Sequence, residues 1–206
     1  GFELFCGAED AVDLWMVIAS AAAALEPTVL PLPTVIGQVA PVGVITAPSG
    51  GRILDFGQNL TGHVRLAVRG EAGAVVTLRH AEVLEDGELG TRPLRRAEAT
   101  DRAILSGGDD VFVLTLTQHG FRYVEVDGFP GDDDALLAAA AARVVSAGMD
   151  RAAWFDCSSE PVARLVENTR WSTIDNFITV PTDCPQRDER LGWTGDIGVF
   201  APTALS

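Results

Sequence analysis

The chain has 206 residues, of which 47% are hydrophobic and 21% charged, so it can form a hydrophobic core and lacks the composition of a disordered protein. Its formal net charge is −14, and all 15 basic residues are arginines. An acidic, lysine-free chain disfavours binding to nucleic acids and to anionic membranes, and it excludes enzymes that need a phosphate-loop or Schiff-base lysine.

Residues 1–33 are predicted to be a linker or the tail of a preceding module, because they are alanine-rich and then interrupted by prolines. The apolar stretch over residues 14–25 is too short to cross a membrane. Acidic residues precede it, where a signal peptide would have basic ones. The sequence therefore predicts no membrane partner and leaves the cellular location open.

Residues 34–150 are predicted to form an antiparallel, jelly-roll-like β-sandwich. Runs with alternating apolar residues, such as 63–69 and 121–126, are separated by turns rich in Gly and Asp. A turn is predicted at residues 57–59. The polar segment 81–102 is predicted to be a solvated loop that crosses the sheet.

Metal ions and disulfides are not predicted. Asp132, Asp133 and Asp134 lack the further spaced oxygen ligands of a calcium site, so they are interpreted as a turn and a helix start. The cysteines and histidines are isolated in the sequence, which argues against a disulfide framework and a zinc site; they are Cys6, Cys157, Cys184, His63, His80 and His119.

The pattern becomes helical near residue 150. Residues 158–161 (SSEP) are typical of a helix start, since serine caps a helix and proline is tolerated in its first turn. Apolar residues then follow at helical spacing to about Phe177, and another helical element is predicted to begin near Gly195.

The segment between these helices carries the residues suited to chemistry. Residues 181–196 contain four acidic side chains, arginines and Trp193. Carboxylates can bind sugar hydroxyls and supply a general acid, while an indole packs against a pyranose ring. The same composition also fits an ion-pair network that stabilises a surface loop, and the residues alone leave both interpretations open.

The run Asp183–Asp196 (DCPQRDERLGWTGD) resembles the signature at the start of the catalytic domain of bacterial α-L-rhamnosidases, glycoside hydrolase family 78. Asp55–Gly62 (DFGQNLTG), Arg79–Leu84 (RHAEVL) and His119–Val126 (HGFRYVEV) resemble motifs of the β-domain that precedes it in that family. The motifs occur in the family's order, and the likeness covers about residues 35–206.

This resemblance implies an inverting glycosidase that needs no cofactor, acts on rhamnosyl glycosides and has an (α/α)6 barrel as its catalytic domain. It implies that Glu189 is the general acid. Asp183 and Asp196 would bind rhamnose hydroxyls, Trp193 would line the pocket, and Arg187 would orient a carboxylate. No metal ligand is implied.

Residues 151–206 are expected to form only the first helices of such a barrel. Twelve helices with their loops need roughly 200 residues, whereas 56 residues follow residue 150. The general base would then lie outside the chain, so we expect an inactive fragment whose exposed apolar helical stripe favours self-association. The alternative is a non-catalytic β-sandwich module that binds carbohydrate or a protein partner.

Overall fold

Strands dominate the first part of the chain and helices the last in the computed structural model, which describes residues 32–114 and 116–204. The strands are β1 (Thr34–Val39), β2 (Gly43–Thr46), β3 (Arg52–Arg69), β4 (Val75–Ala81), β5 (Val83–Glu85), β6 (Glu88–Gly90), β7 (Thr100–Ile104), β8 (Asp109–Val113), β9 (His119–Asp127) and β10 (Ala140–Ser146). The helices are a 3-10 helix (Arg92–Leu94), α1 (Asp133–Ala139), α2 (Glu160–Asn176) and α3 (Thr194–Ala204). Of the linker predicted over residues 1–33, residues 1–31 lie outside the described part of the chain.

Strand β3 is the centre of the sheet. Its first half pairs with β2 and β9 and its second half with β10 and β8, always antiparallel. The turn predicted at residues 57–59 is wrong, because β3 continues through this segment. Its register against β9 shifts between Asp55 and Leu60, and Gly57 has a φ of 74°. The extra residues therefore form a bulge that bends the strand without reversing it.

Eight of the described strands form one sheet that curls about a common core. Six of them follow the order β1-β10-β3-β9-β4-β7, and β2 and β8 pair with β3 off this path. This core includes Phe56, whose ring meets that of Phe121 edge to face at 5.5 Å between centroids. Leu136 of α1 is fully buried in the same cluster. This antiparallel architecture is consistent with the predicted β-sandwich.

The solvated loop predicted over residues 81–102 is wrong. The segment contains the hairpin β5–β6, the 3-10 helix and the beginning of β7. Asp86 and Gly87 connect the hairpin with φ values of 51° and 82°, as expected of a two-residue turn that requires positive φ at both positions. Leu94 of the 3-10 helix is buried, so the segment is attached to the core.

The helix starts agree with the sequence. The side chain of Asp132 accepts a hydrogen bond from the amide of Ala135 at 2.9 Å and so caps α1. Helix α2 begins at Glu160, with Pro161 in its first turn, and ends at Asn176; Ser159 stands at the N-cap as predicted, but its side chain makes no capping hydrogen bond. Helix α3 begins at Thr194, one residue before the predicted start. No described helix is long and apolar enough to span a lipid bilayer.

The C-terminal end of α2 is bonded to the sheet. Thr61 in β3 donates its amide to Asp175 Oδ1 and its hydroxyl to the Asp175 carbonyl, both at 2.9 Å. The carbonyl of Phe177 accepts from the amide of Ala147 at 2.7 Å and from the Ser146 hydroxyl at 3.0 Å. The loop that follows α2 therefore starts from a fixed point on the sheet.

Gly62 provides a test of this packing. A Cβ at this position would lie 1.8 Å from the carbonyl oxygen of Arg143 in β10. We expect Gly62→Ala to lower the free energy of unfolding by about 2–3 kcal/mol, measured by urea denaturation, because backbone would have to move. Gly43→Ala, in β2 with nothing within 4 Å of the added Cβ, should change it by less than about 0.5 kcal/mol. Equal losses of unfolding free energy in the two variants would contradict this explanation.

Candidate active site

The residues singled out by the sequence lie in and beside one loop, residues 181–193, which we call the acidic loop. It connects α2 to α3. Its first turn is fixed by the amide of Thr182, which donates to the carbonyl of Asn176 at 2.9 Å. At its other end the carbonyl of Trp193 accepts from the amide of Ile197 at 3.2 Å and so begins α3.

The acidic loop rests on the beginning of β9. Arg190 Nη1 donates to the carbonyl of Gln118 at 2.8 Å. A Cβ on Gly120 would lie 2.9 Å from Pro185 Cγ and 3.0 Å from the amide nitrogen of Gln186. Glycine at position 120 therefore lets the loop approach the strand more closely than a residue with a side chain would allow.

Two guanidinium groups hold the carboxylate of Glu189. Arg187 Nη2 lies 2.9 Å from Glu189 Oε2 and 3.3 Å from Asp183 Oδ2. Arg95 Nη1, from the segment before β7, lies 2.6 Å from the same Glu189 oxygen.

The thiol of Cys184 in the same loop has a raised pKa. Burial is the largest cause and the hydrogen bond to Asp183 the next, and together they raise the pKa to about 11, so this thiol stays protonated at neutral pH.

A cavity of about 190 Å³ lies beside this network. Asp183, Trp193 and Asp196 line it together with aromatic side chains, among them Phe177 and Phe200, whose rings meet edge to face at 6.4 Å. The cavity combines carboxylates with aromatic faces, as a sugar subsite does.

The five predicted site residues form two adjoining groups. Asp183, Trp193 and Asp196 line the cavity, and Arg187 and Glu189 are not among its lining residues. Asp183 links the groups because it also pairs with Arg187.

Two carboxyl groups outside the acidic loop have raised pKa values, the half-buried Glu82 and the buried Asp175. Glu82 Oε1 accepts from Asn59 Nδ2 at 2.8 Å; burial raises the pKa of Glu82, and the Asn59 bond and the charge of Arg187 oppose this. Burial also raises the pKa of Asp175 to about 7, against the hydrogen bond from Thr61 and with a smaller contribution from Glu82. Asp175 is therefore partly protonated near neutral pH.

The structure also brings together two of the three histidines that are isolated in the sequence. His119 Nε2 lies 2.9 Å from Asp101 Oδ1, and the rings of His80 and His119 stack at 4.2 Å between centroids. Among the described residues this buried trio is the set of side chains that could hold a metal ion. Burial lowers the pKa of His80 to about 3, so its ring is neutral.

Comparison with known families identifies both parts of the chain. Residues 45–147 match the model of the bacterial alpha-L-rhamnosidase concanavalin-like domain, and residues 150–206 match that of the bacterial alpha-L-rhamnosidase 6 hairpin glycosidase domain. The chain belongs to the bacterial α-L-rhamnosidase family.

Relatives in this rhamnosidase family are substantially longer. An alpha-L-rhamnosidase of Streptomyces avermitilis is 47% identical over 175 residues, which are 84% of this chain and 17% of that protein. One from Alteromonas sp. is 39% identical over 154 residues, which are 74% of this chain and 17% of that protein. The chain thus spans about a sixth of the length of these curated relatives.

Solved rhamnosidase structures share the fold. The alpha-L-rhamnosidase of Aspergillus terreus superposes with a TM-score of 0.82 at 46% identity, over 85% of this chain and 20% of that one. The Streptomyces avermitilis enzyme, solved with L-rhamnose, superposes with a TM-score of 0.80 at 45% identity, over 84% of this chain and 17% of that one.

Sequence reasoning missed three residues of this rhamnosidase segment: Arg95, which pairs with Glu189; Glu82, on which the charge of Arg187 acts; and Asn59, which donates to Glu82. Asn59 and Glu82 lie within the β-domain motifs, but the motifs alone assigned them no contact. Arg95 lies in the polar segment interpreted as solvated, and its partner Glu189 is 94 residues away. Only the pairing of the strands brings these side chains to the loop.

Asp175 predicts a pH effect on stability. Its pKa is raised from 3.8 to about 7 in the folded chain, so between these values the unfolded chain releases a proton that the folded chain keeps. The contribution of Asp175 to the free energy of unfolding should therefore fall as the pH rises from 4 to 7, by about 1.4 kcal/mol per pH unit, whereas the low pKa of His80 acts on the total in the opposite direction. Asp175→Asn removes this dependence, so its stability relative to wild type should increase over that interval.

Urea unfolding of both proteins at pH 4, 5.5 and 7 measures this difference. Asp55→Asn is the matched control, because Arg122 lowers the pKa of Asp55 and this carboxylate is ionised in both states above about pH 5. The difference in the free energy of unfolding between Asp55→Asn and wild type should not change from pH 5.5 to 7. A pH-independent difference for Asp175→Asn would contradict the assignment.

Proposed function

We propose that this chain is part of an inverting α-L-rhamnosidase, which removes terminal α-L-rhamnose from rhamnosyl glycosides without a cofactor. In this proposal residues 34–150 are its β-domain and residues 151–206 are the first helices of an (α/α)6 barrel. The two family matches, in this order along the chain, support it. The observation that carries it is the acidic loop, which presents paired carboxylates beside an aromatic cavity.

Glu189 is the general acid in this proposal. Its Oε2 is held by Arg95 and Arg187, and its Oε1 has no hydrogen-bond partner among the described residues. The proton therefore resides on Oε1 and passes to the glycosidic oxygen as the bond from that oxygen to the anomeric carbon breaks. The carboxylate left behind is stabilised by both guanidinium groups.

The cavity beside Glu189 holds the rhamnose ring. Asp183 and Asp196 accept hydrogen bonds from ring hydroxyls, and the half-exposed indole of Trp193 packs against the apolar face of the sugar. Arg187 pairs with both Asp183 and Glu189, so it fixes the position of the sugar-binding carboxylate relative to the acid.

An inverting enzyme also needs a general base about 6.5–9.5 Å from the acid, with a water molecule between them. We place this base in the part of the longer protein that follows the chain. Residues 1–206 alone should therefore not hydrolyse rhamnosides. Apolar side chains that the remaining helices would cover are exposed on α2 and α3, namely Val162, Leu165 and Val199, so the isolated chain should self-associate.

Replacing Glu189 by glutamine in the full-length protein tests the acid. On an alkyl α-L-rhamnoside, whose leaving group needs a proton, kcat should fall by about 10²–10⁴-fold. On 2,4-dinitrophenyl α-L-rhamnoside the fall should be much smaller, because this leaving group departs unprotonated. The control is Glu160→Gln, an exposed residue in the first turn of α2, which should keep kcat on both substrates.

Two results would overturn the proposed function. One is a Glu189→Gln enzyme that retains full activity on the alkyl rhamnoside. The other is rhamnose binding by residues 1–206 that is lost on changing residues of the sheet but not on changing Trp193, which would favour a non-catalytic binding module.

A further inference from the structure

We propose that Arg95 of the β-domain is a positioning residue for the general acid, and this inference rests on the function proposed for Glu189. Arg95 would hold Glu189 Oε2 in place, so that Oε1 keeps the orientation needed to protonate the glycosidic oxygen. The β-domain would then contribute a side chain to the active site in addition to packing against the catalytic domain.

The contact between the two residues is direct. Arg95 Nη1 donates to Glu189 Oε2 at 2.6 Å, across 94 residues of sequence. Arg187 divides its guanidinium between Asp183 and Glu189. Among the described residues Arg95 pairs with no carboxylate other than Glu189, so its whole charge acts on the acid.

The backbone around Arg95 is shaped to make this contact. Arg95 has a φ of 55° and a ψ of −103°, in a sparsely populated region for a residue with a side chain. The buried Leu94 fixes the residue before it, and Arg92 fixes the 3-10 helix by pairing with Glu85 at 2.9 Å. The buried Leu94 thus anchors the backbone next to this unusual conformation, and the Arg95 side chain extends to the acidic loop.

Few charged groups contact the Glu189 carboxylate among the described residues, so the loss of Arg95 would change its surroundings substantially. Arg95 and Arg187 contact the carboxylate directly, and the Cys184 thiol lies against the Glu189 carbonyl. Asp183 competes for Arg187 through an ion pair, and the charge of Arg187 also acts on Glu82. Without Arg95 the carboxylate keeps a single guanidinium that is shared with Asp183.

Three variants of the full-length protein test the inference: Arg95→Ala, Arg95→Lys and the matched control Arg96→Ala. Arg96 is the next residue, is exposed and has no ion pair among the described residues, so its replacement makes the same charge change without the contact. On an alkyl α-L-rhamnoside, Arg95→Ala should lower kcat by about 10–100-fold, as expected when a catalytic group is misplaced. Arg95→Lys should recover part of this loss.

The pH profile separates positioning from general damage to the fold. Removing a cation from the carboxylate makes its protonated form easier to retain, so the alkaline limb of kcat/KM should move to higher pH in Arg95→Ala but not in Arg96→Ala. On 2,4-dinitrophenyl α-L-rhamnoside the loss in kcat should be less than about threefold, because that substrate does not need the acid. In a protein that already carries Glu189→Gln, adding Arg95→Ala should lower kcat only a little further, because the group that Arg95 positions is no longer an acid.

The outcomes distinguish the two proposals. If Glu189→Gln loses activity but Arg95→Ala matches Arg96→Ala in kcat and in pH profile, the role of Arg95 is overturned and the proposed function stands. If Arg95→Ala loses activity equally on both substrates, the residue supports folding and not the acid, which also overturns its role. If Glu189→Gln retains activity, the proposed function itself fails.

Discussion

The bond between helix α2 and strand β3 is the constraint on which the rest of the site depends. Thr61 donates both its amide and its hydroxyl to Asp175, and all of these groups are buried. A buried carboxyl group is costly to ionise, which is why the pKa of Asp175 rises to about 7. This cost is offset because the two hydrogen bonds fix the end of α2, and the acidic loop starts five residues after that end, at Pro181.

The sheet then determines the course of the acidic loop. Strand β9 supplies a glycine, Gly120, against which the loop packs, and Gln118, just before this strand, supplies a carbonyl that accepts from Arg190. Arg95 reaches the loop from the segment before β7, and the charge of Arg187 acts on Glu82, which lies between β4 and β5. The β-domain of this rhamnosidase segment thus acts as the support on which the proposed catalytic carboxylates are arranged.

Local sequence signals predicted the elements that depend on neighbouring residues. The helix starts at Asp132 and Pro161 followed from capping and proline preferences, which act within one turn. The continuity of β3 through Gly57 and the hairpin at residues 83–90 were missed, because a glycine can serve a turn or a bulge and only strand pairing decides between them. The acidic loop was recognisable as a motif, whereas Arg95 was not, since nothing near position 95 encodes a partner 94 residues away.

The charges around Glu189 bear directly on its proposed role as general acid. Two guanidinium groups contact one oxygen of its carboxylate, and in the proposed reaction this group has to carry a proton when the substrate binds. Arg187 also pairs with Asp183, so its charge is divided between two carboxylates. In the proposed reaction, once the proton has moved to the glycosidic oxygen, the same two guanidinium groups would stabilise the new anion. Because Arg95 comes from the segment before β7 and Arg187 from the acidic loop, the proposed acid would draw this stabilisation from both parts of the chain.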